Sequence, residues 1–108
     1  MAHTIVDTDL VEKQNGIFKP LTASLGVQAF GINQIELPAG GAGVEHDHGE
    51  DGHEEVYVVL DGGGTIRVDG EDVELRPGRL VAVTPESTRQ LRAGENGLTF
   101  IAVGAARQ

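Results

Sequence analysis

Turn-forming residues recur about every ten residues along most of the chain, and short runs of β-forming residues lie between them. Asp69 and Gly70 give the clearest of these signals, since Asp-Gly favours a two-residue hairpin turn. Residues 61–64, residues 77–78 and residues 93–97 are predicted to end strands in the same way. The pattern predicts an all-β sandwich or barrel, because no segment shows a convincing helical period. The predicted strands cover residues 27–37, 56–60, 65–68, 73–75, 80–83, 90–92 and 98–103.

A chain of 108 residues has room for one hydrophobic core, so a single domain is expected. Residues 1–25 show weak periodicity and are interpreted as an N-terminal arm, followed by a β-barrel domain over residues 26–108. Phe18, Phe30 and Phe100 are expected in the core, whereas His3 is expected to be solvated.

Charge and composition exclude several classes of function. The formal net charge of −9 argues against binding to nucleic acid or to anionic membrane surfaces. The absence of cysteine excludes disulfides, thiol catalysis and iron–sulfur clusters. No apolar stretch reaches the roughly 18 residues of a membrane span, and acidic residues occupy the place of a signal peptide's apolar region. A cytoplasmic location is therefore expected.

Three of the four histidines lie within residues 43–55, together with six of the 17 acidic residues. His46 and His48 are two apart, so on an extended strand they project from the same face. Glu55 opens the next predicted strand and points to the same face as Tyr57. Two imidazoles and one carboxylate suit Fe(II), and also Mn, Ni, Co or Zn. His53 could reach the same ion, and the other interpretation is a solvated acidic loop that binds cations weakly.

The order of these residues resembles the first motif of the cupin superfamily. That motif contains a His-x-His pair, a glutamate three or four residues later, and a glycine after six more residues. His46 and His48 match the pair, while Glu55 and Gly62 match the later residues at the right spacing. The gap between His48 and Glu55 is six residues and therefore longer than usual, which leaves His53 open as an alternative ligand.

Residues 78–89 resemble the second cupin motif with three departures. Thr84 stands where that motif has proline, and Glu86 stands where it has glycine. Arg89 stands where the fourth metal ligand, a histidine, is usual. Arginine keeps its proton and does not ligate metals, so the usual ligand set of three histidines and one glutamate is incomplete.

The resemblance covers residues 26–103 and implies a small single-domain cupin. The implied fold is a double-stranded β-helix, the jelly-roll barrel. The implied cofactor is a divalent metal ion held by His46, His48 and Glu55, with His53 or water completing the set. Related cupins act on small organic acids as dioxygenases, isomerases or decarboxylases, and nothing in the sequence selects among these. Members of this size are commonly homodimers.

Two residues are candidates for a small-molecule pocket in the barrel. Arg89 could bind a substrate carboxylate, although an ion pair with Glu55, Glu86 or another acidic residue at the rim is the favoured interpretation. Tyr57 could line the pocket, although a core tyrosine with a satisfied hydroxyl is favoured. The alternative to a metal-dependent protein is a metal-free, non-catalytic cupin that binds a small molecule or has a structural role.

Overall fold

The computed structural model of the protein describes residues 2–108, and most of this chain forms antiparallel β-strands. A 3₁₀ turn (Thr8–Leu10) and one short helix, α1 (Thr22–Leu25), lie before the main sheet. The strands are β1 (Phe18–Pro20), β2 (Gly31–Leu37), β3 (His53–Val68), β4 (Glu71–Leu75), β5 (Leu80–Val83) and β6 (Arg89–Ala106). This content confirms the all-β prediction.

The two long strands β3 and β6 pair with each other and organise the whole sheet, whose order is β1-β2-β6-β3-β4. The first half of β3 also pairs with β5, and its second half pairs with β4. In β6 the second half pairs with β2, whereas residues 42–46 run beside the first half. Because each long strand changes its outer neighbour part-way, the sheet folds over into a jelly-roll barrel. The predicted fold class is confirmed.

Two of the predicted turns lie inside the long strands, so the strand ends predicted there were wrong. Residues 61–64 belong to β3, and residues 93–97 belong to β6. The pairing of β3 with β6 shifts register between Val59 and Asp61, and again between Gly62 and Gly64. These glycine-rich runs bend the strands without ending them, since a bulge curves a strand and glycine allows close approach of the neighbouring backbone.

Other local predictions had mixed outcomes. Asp69 and Gly70 form the hairpin turn between β3 and β4, both with positive φ (49° and 84°), as predicted. Strand β2 begins at Gly31, not at Val27, because the residues after α1 lie outside the sheet. Phe30 therefore precedes the sheet and is 38% exposed, so its assignment to the core was wrong, whereas Phe100 is buried as expected.

The inner faces of β3 and β6 supply most of the hydrophobic core. Ile66 is fully buried, and the rings of Tyr57 and Phe100 meet edge to face with centroids 5.9 Å apart. The N-terminal segment is attached through β1, which pairs with β2, and through a partly buried ion pair between Lys19 Nζ and Glu36 Oε2 (3.1 Å). The core cluster consists of Leu37, Tyr57, Val59, Ile66, Leu75, Val83, Leu91, Ala93, Leu98, Phe100 and Ala102.

Within residues 2–108, none of the helical segments has the length and apolar character that crossing a membrane would require.

Replacing Gly64 with alanine is expected to destabilise the barrel, because a Cβ there would overlap the carbonyl oxygen of Arg92 on β6. We expect a loss of about 1–3 kcal/mol in the free energy of unfolding, measured by urea titration. Gly31→Ala is the control, since a Cβ on that strand glycine meets its nearest atom at 3.8 Å. Equal losses in the two variants would contradict the close approach of β3 and β6.

Candidate metal centre

Backbone hydrogen bonds hold the two histidines of the His-x-His pair against the barrel. The His46 N–H donates to the Arg89 carbonyl (3.0 Å), and the Arg89 N–H donates to the His46 carbonyl (2.8 Å). The His48 N–H donates to the Pro85 carbonyl (2.8 Å). The segment that carries the histidines is therefore fixed at one end of the barrel, beside the start of β3, where Glu55 lies.

The side chains of His46, His48 and Glu55 converge as the sequence predicted. The distance from His48 Nε2 to Glu55 Oε1 is 3.1 Å, and the distance from His46 Nε2 to the same oxygen is 3.7 Å. One ligand atom from each residue lies within 4.8 Å of the others. The three side chains are 38%, 21% and 14% exposed, so the group is partly buried and accessible from one side. This geometry differs from that of a fully solvated acidic loop.

The hydrogen bonds of the two imidazoles define which ring nitrogens are free. His46 Nδ1 lies 2.9 Å from the Val44 carbonyl oxygen, which only accepts, so Nδ1 carries the proton. His48 Nδ1 lies 3.1–3.2 Å from the carboxylate of Asp51, which also accepts. Each Nε2 is then the ring nitrogen that faces Glu55. The buried Nε2 of His48 has no hydrogen-bond partner among the described residues.

Asp51 is a contributor that the sequence analysis did not single out. The His53 backbone N–H and the His48 side chain both donate to it and lower the pKa of this carboxyl, so it stays ionised and holds the His48 ring. One indication of this role was present in the sequence, namely that Asp51 lies three residues after His48. A carboxylate that accepts from the outer nitrogen of a ligating imidazole fixes its tautomer and orientation.

Tyr57 lies behind Glu55 and is only 2% exposed. Its hydroxyl donates to Glu55 Oε1 at 2.5 Å. Burial, reinforced by this hydrogen bond, raises the pKa of Tyr57 well above its usual range, and the positive charge of Arg89 opposes the shift. Tyr57 is therefore a core tyrosine with a satisfied hydroxyl, and it positions the carboxylate.

His53 lies on the outer side of this arrangement. Its ring stacks on that of His48, with centroids 5.8 Å apart, and its Nδ1 is 3.8 Å from Asp51 Oδ2. In the part of the chain described, His53 groups with His48 and Asp51 and not with Glu55. The long gap between His48 and Glu55 thus forms a turn that returns the chain to β3 with His53 outside.

Arg89 projects into the barrel and is fully buried, with 0% exposure. Its Nη2 donates to the Thr84 carbonyl (3.0 Å), whereas Nε and Nη1 have no partner in the described part of the chain. The favoured ion pair with Glu55 or Glu86 was wrong, because no carboxylate among residues 2–108 lies within 4.0 Å of this guanidinium. Glu86 is exposed at the rim and pairs instead with Arg107 (3.3 Å).

Comparisons with known proteins identify the family. A sequence model of the cupin domain matches residues 33–103, so the chain belongs to the cupin family. No curated protein sequence matches the chain. A solved cupin protein from Bacteroides fragilis has a TM-score of 0.82 and 25% identity, covering 98% of this chain and 86% of that chain.

Two further solved structures share the fold at lower identity. A cupin-superfamily sugar phosphate isomerase from Silicibacter pomeroyi has a TM-score of 0.82 and 21% identity, covering 95% of this chain and 76% of that one. A protein described as a predicted oxalate decarboxylase, from Thermotoga maritima, has a TM-score of 0.81 and 20% identity, covering 96% and 100% respectively. At such identities the likeness establishes the barrel and not the reaction.

Removing the carboxylate that holds His48 is expected to weaken metal binding. Asp51→Asn should lower zinc affinity by about tenfold to a hundredfold, the usual effect of losing such an outer partner. Glu50→Gln is the matched control, since it removes one negative charge from the neighbouring exposed position. Calorimetric titration with zinc measures both variants, and equal losses would mean that bulk negative charge, not orientation of His48, is responsible.

Proposed function

We propose that this cupin binds a divalent metal ion through His46, His48 and Glu55, and a small organic ligand beside it in the barrel. The observation that supports this most is the convergence of both Nε2 atoms on one carboxylate oxygen, while a separate acceptor holds each outer Nδ1. His48 Nε2 is buried, has no hydrogen-bond partner among the described residues and lies 3.1 Å from Glu55 Oε1. Such an arrangement is unfavourable by itself and is stabilised by a cation.

The residues present fit Fe, Mn, Ni, Co or Zn, whose preferred ligands include imidazole and carboxylate. A bound divalent ion would supply Lewis-acid activation of a small molecule at positions that three protein ligands leave open. The chain itself orients the ligands: Asp51 holds His48, the Val44 carbonyl holds His46, and Tyr57 holds Glu55. Similarity to the isomerase and to the predicted oxalate decarboxylase makes such activity a reasonable hypothesis, with the reaction itself unassigned.

One observation favours a second candidate, a metal-free cupin that binds a small molecule or has a structural role. Arg89 occupies the place of the usual fourth ligand and contributes a buried positive charge. A positive charge near Glu55 lowers the affinity of the site for cations. Metal analysis separates the two candidates.

Untagged protein is expected to carry close to one equivalent of metal by elemental analysis, either as purified or after addition of Fe, Mn, Ni or Zn. His46→Ala and His48→Ala should abolish it, because each removes one of three ligands. His3→Ala is the control, since His3 is exposed and far from the site in sequence. His53→Ala should retain the metal, because His53 lies outside the group formed by His46, His48 and Glu55. Wild-type protein that stays empty with every metal would favour the metal-free candidate.

We further propose that the protein is a homodimer, as its membership of this family suggests, while its cytoplasmic location stays a prediction. Leu60 and Leu80 support an association surface, since they are 48% and 60% exposed. Leu80 pairs with Val58 on the neighbouring strand, and Leu60 lies two residues farther along that strand. Light scattering after gel filtration should give twice the chain mass of 11.4 kDa, and Leu80→Glu should shift the protein toward that monomer mass. A monomer in the wild type would contradict the proposal.

A further inference from the structure

A fully buried arginine without a charged partner lies beside the metal centre. Arg89 Nε and Nη1 together carry three N–H donors, and none of them has a partner among the described residues. Guanidinium does not lose its proton in proteins, so this positive charge persists in the barrel interior. Burial of such a charge without an anion is strongly unfavourable, and this identifies the guanidinium as a group built to receive a ligand.

Three contacts place Arg89 beside the metal centre. Arg89 and His46 exchange both backbone hydrogen bonds, so their side chains project from the same face of the ladder. Arg89 Nη2 donates to the carbonyl of Thr84, which follows Val83, the residue paired with Glu55. The next carbonyl, that of Pro85, holds the backbone of His48. The arginine is therefore tied to both histidines and to the strand opposite Glu55.

The charges around the site favour an anion between these groups. A divalent ion held by two neutral imidazoles and one carboxylate keeps one excess positive charge, and Arg89 adds another. Asp51 faces His48 from the outer side but is 49% exposed, so water screens its charge. The partly exposed His46 and His48 leave the site accessible from solvent on one side.

We propose that Arg89 is the anion-binding group of the barrel, and that the organic ligand is a small carboxylate held between the metal ion and the guanidinium. The proposal rests on the proposed metal site and names the class of its ligand. Planar guanidinium matches the oxygens of a carboxylate, and charge-assisted hydrogen bonds to it are among the strongest that proteins form. Metal and carboxylate should then bind cooperatively, since the negative charge of the carboxylate offsets the excess positive charge of the bound metal ion.

The test uses malonate as the probe and neutral malonamide as its uncharged counterpart. The Nε–H signal of Arg89 is followed by NMR in ¹⁵N-labelled protein, with and without zinc. Malonate should shift this signal to saturation in the zinc-loaded protein, and malonamide should not. Arg89→Gln should lower malonate affinity by about tenfold to a hundredfold. Zinc affinity should be retained or increased in the same variant, because a nearby positive charge is removed.

Arg92→Gln is the matched control, since Arg92 lies on the same strand with an exposed side chain, and it should leave both affinities unchanged. Arg89→Lys keeps the charge and provides a second variant if Arg89→Gln does not fold, and it too should weaken malonate binding. Equal binding of malonate and malonamide, or unchanged malonate affinity in the Arg89 variants, would overturn the proposal.

The experiment distinguishes an error in the proposed metal site from an error in the proposed anion site. Wild-type protein that binds none of Fe, Mn, Ni, Co and Zn would contradict the proposed function alone. In that case malonate at high concentration should still shift the Arg89 Nε–H signal of the zinc-free protein, because the guanidinium is present in both forms. No shift in either form would overturn the assignment of Arg89.

Discussion

The exchange of backbone hydrogen bonds between His46 and Arg89 is the contact on which the site depends. It attaches the segment that carries the histidines to the first half of β6, outside the regular pairing of β2 with that strand. It also sets the direction of both side chains, because residues that face each other in an antiparallel pair project to the same side. One imidazole and one guanidinium are thereby directed into the barrel together, toward Glu55 near the start of β3.

The site combines an element suited to a cation with an element suited to an anion. The Val44 carbonyl and the Asp51 carboxylate hold the outer nitrogens of the two histidines, so that the inner nitrogens face Glu55. Beside them, a fully buried guanidinium has three N–H donors without a partner among residues 2–108. Neither element is favourable by itself in a low-dielectric interior, and a metal carboxylate complex would satisfy both. This complementarity is the physical basis of the proposed function and of the proposed ligand class.

Much of the fold followed from local patterns in the sequence, and the exceptions have a common physical cause. The Asp69-Gly70 hairpin and the convergence of His46, His48 and Glu55 depend on turn chemistry and on residue parity, which act over a few residues. The continuity of β3 and β6 through glycine-rich runs depends on the partner strand, because the close approach of Gly64 to Arg92 exists only in the assembled barrel. Arg89 lacks a charged partner among residues 2–108, and His53 lies on the outer side of the site. Both features depend on tertiary structure, so the spacing of residues along the sequence did not determine them.

The most direct test of this account is anomalous diffraction from a crystal grown without chelator and soaked with a divalent metal. The account predicts one anomalous peak within about 2.0–2.3 Å of Nε2 of both His46 and His48 and of a Glu55 oxygen. A peak instead among His48 Nδ1, Asp51 and His53, or no peak near these residues, would contradict it.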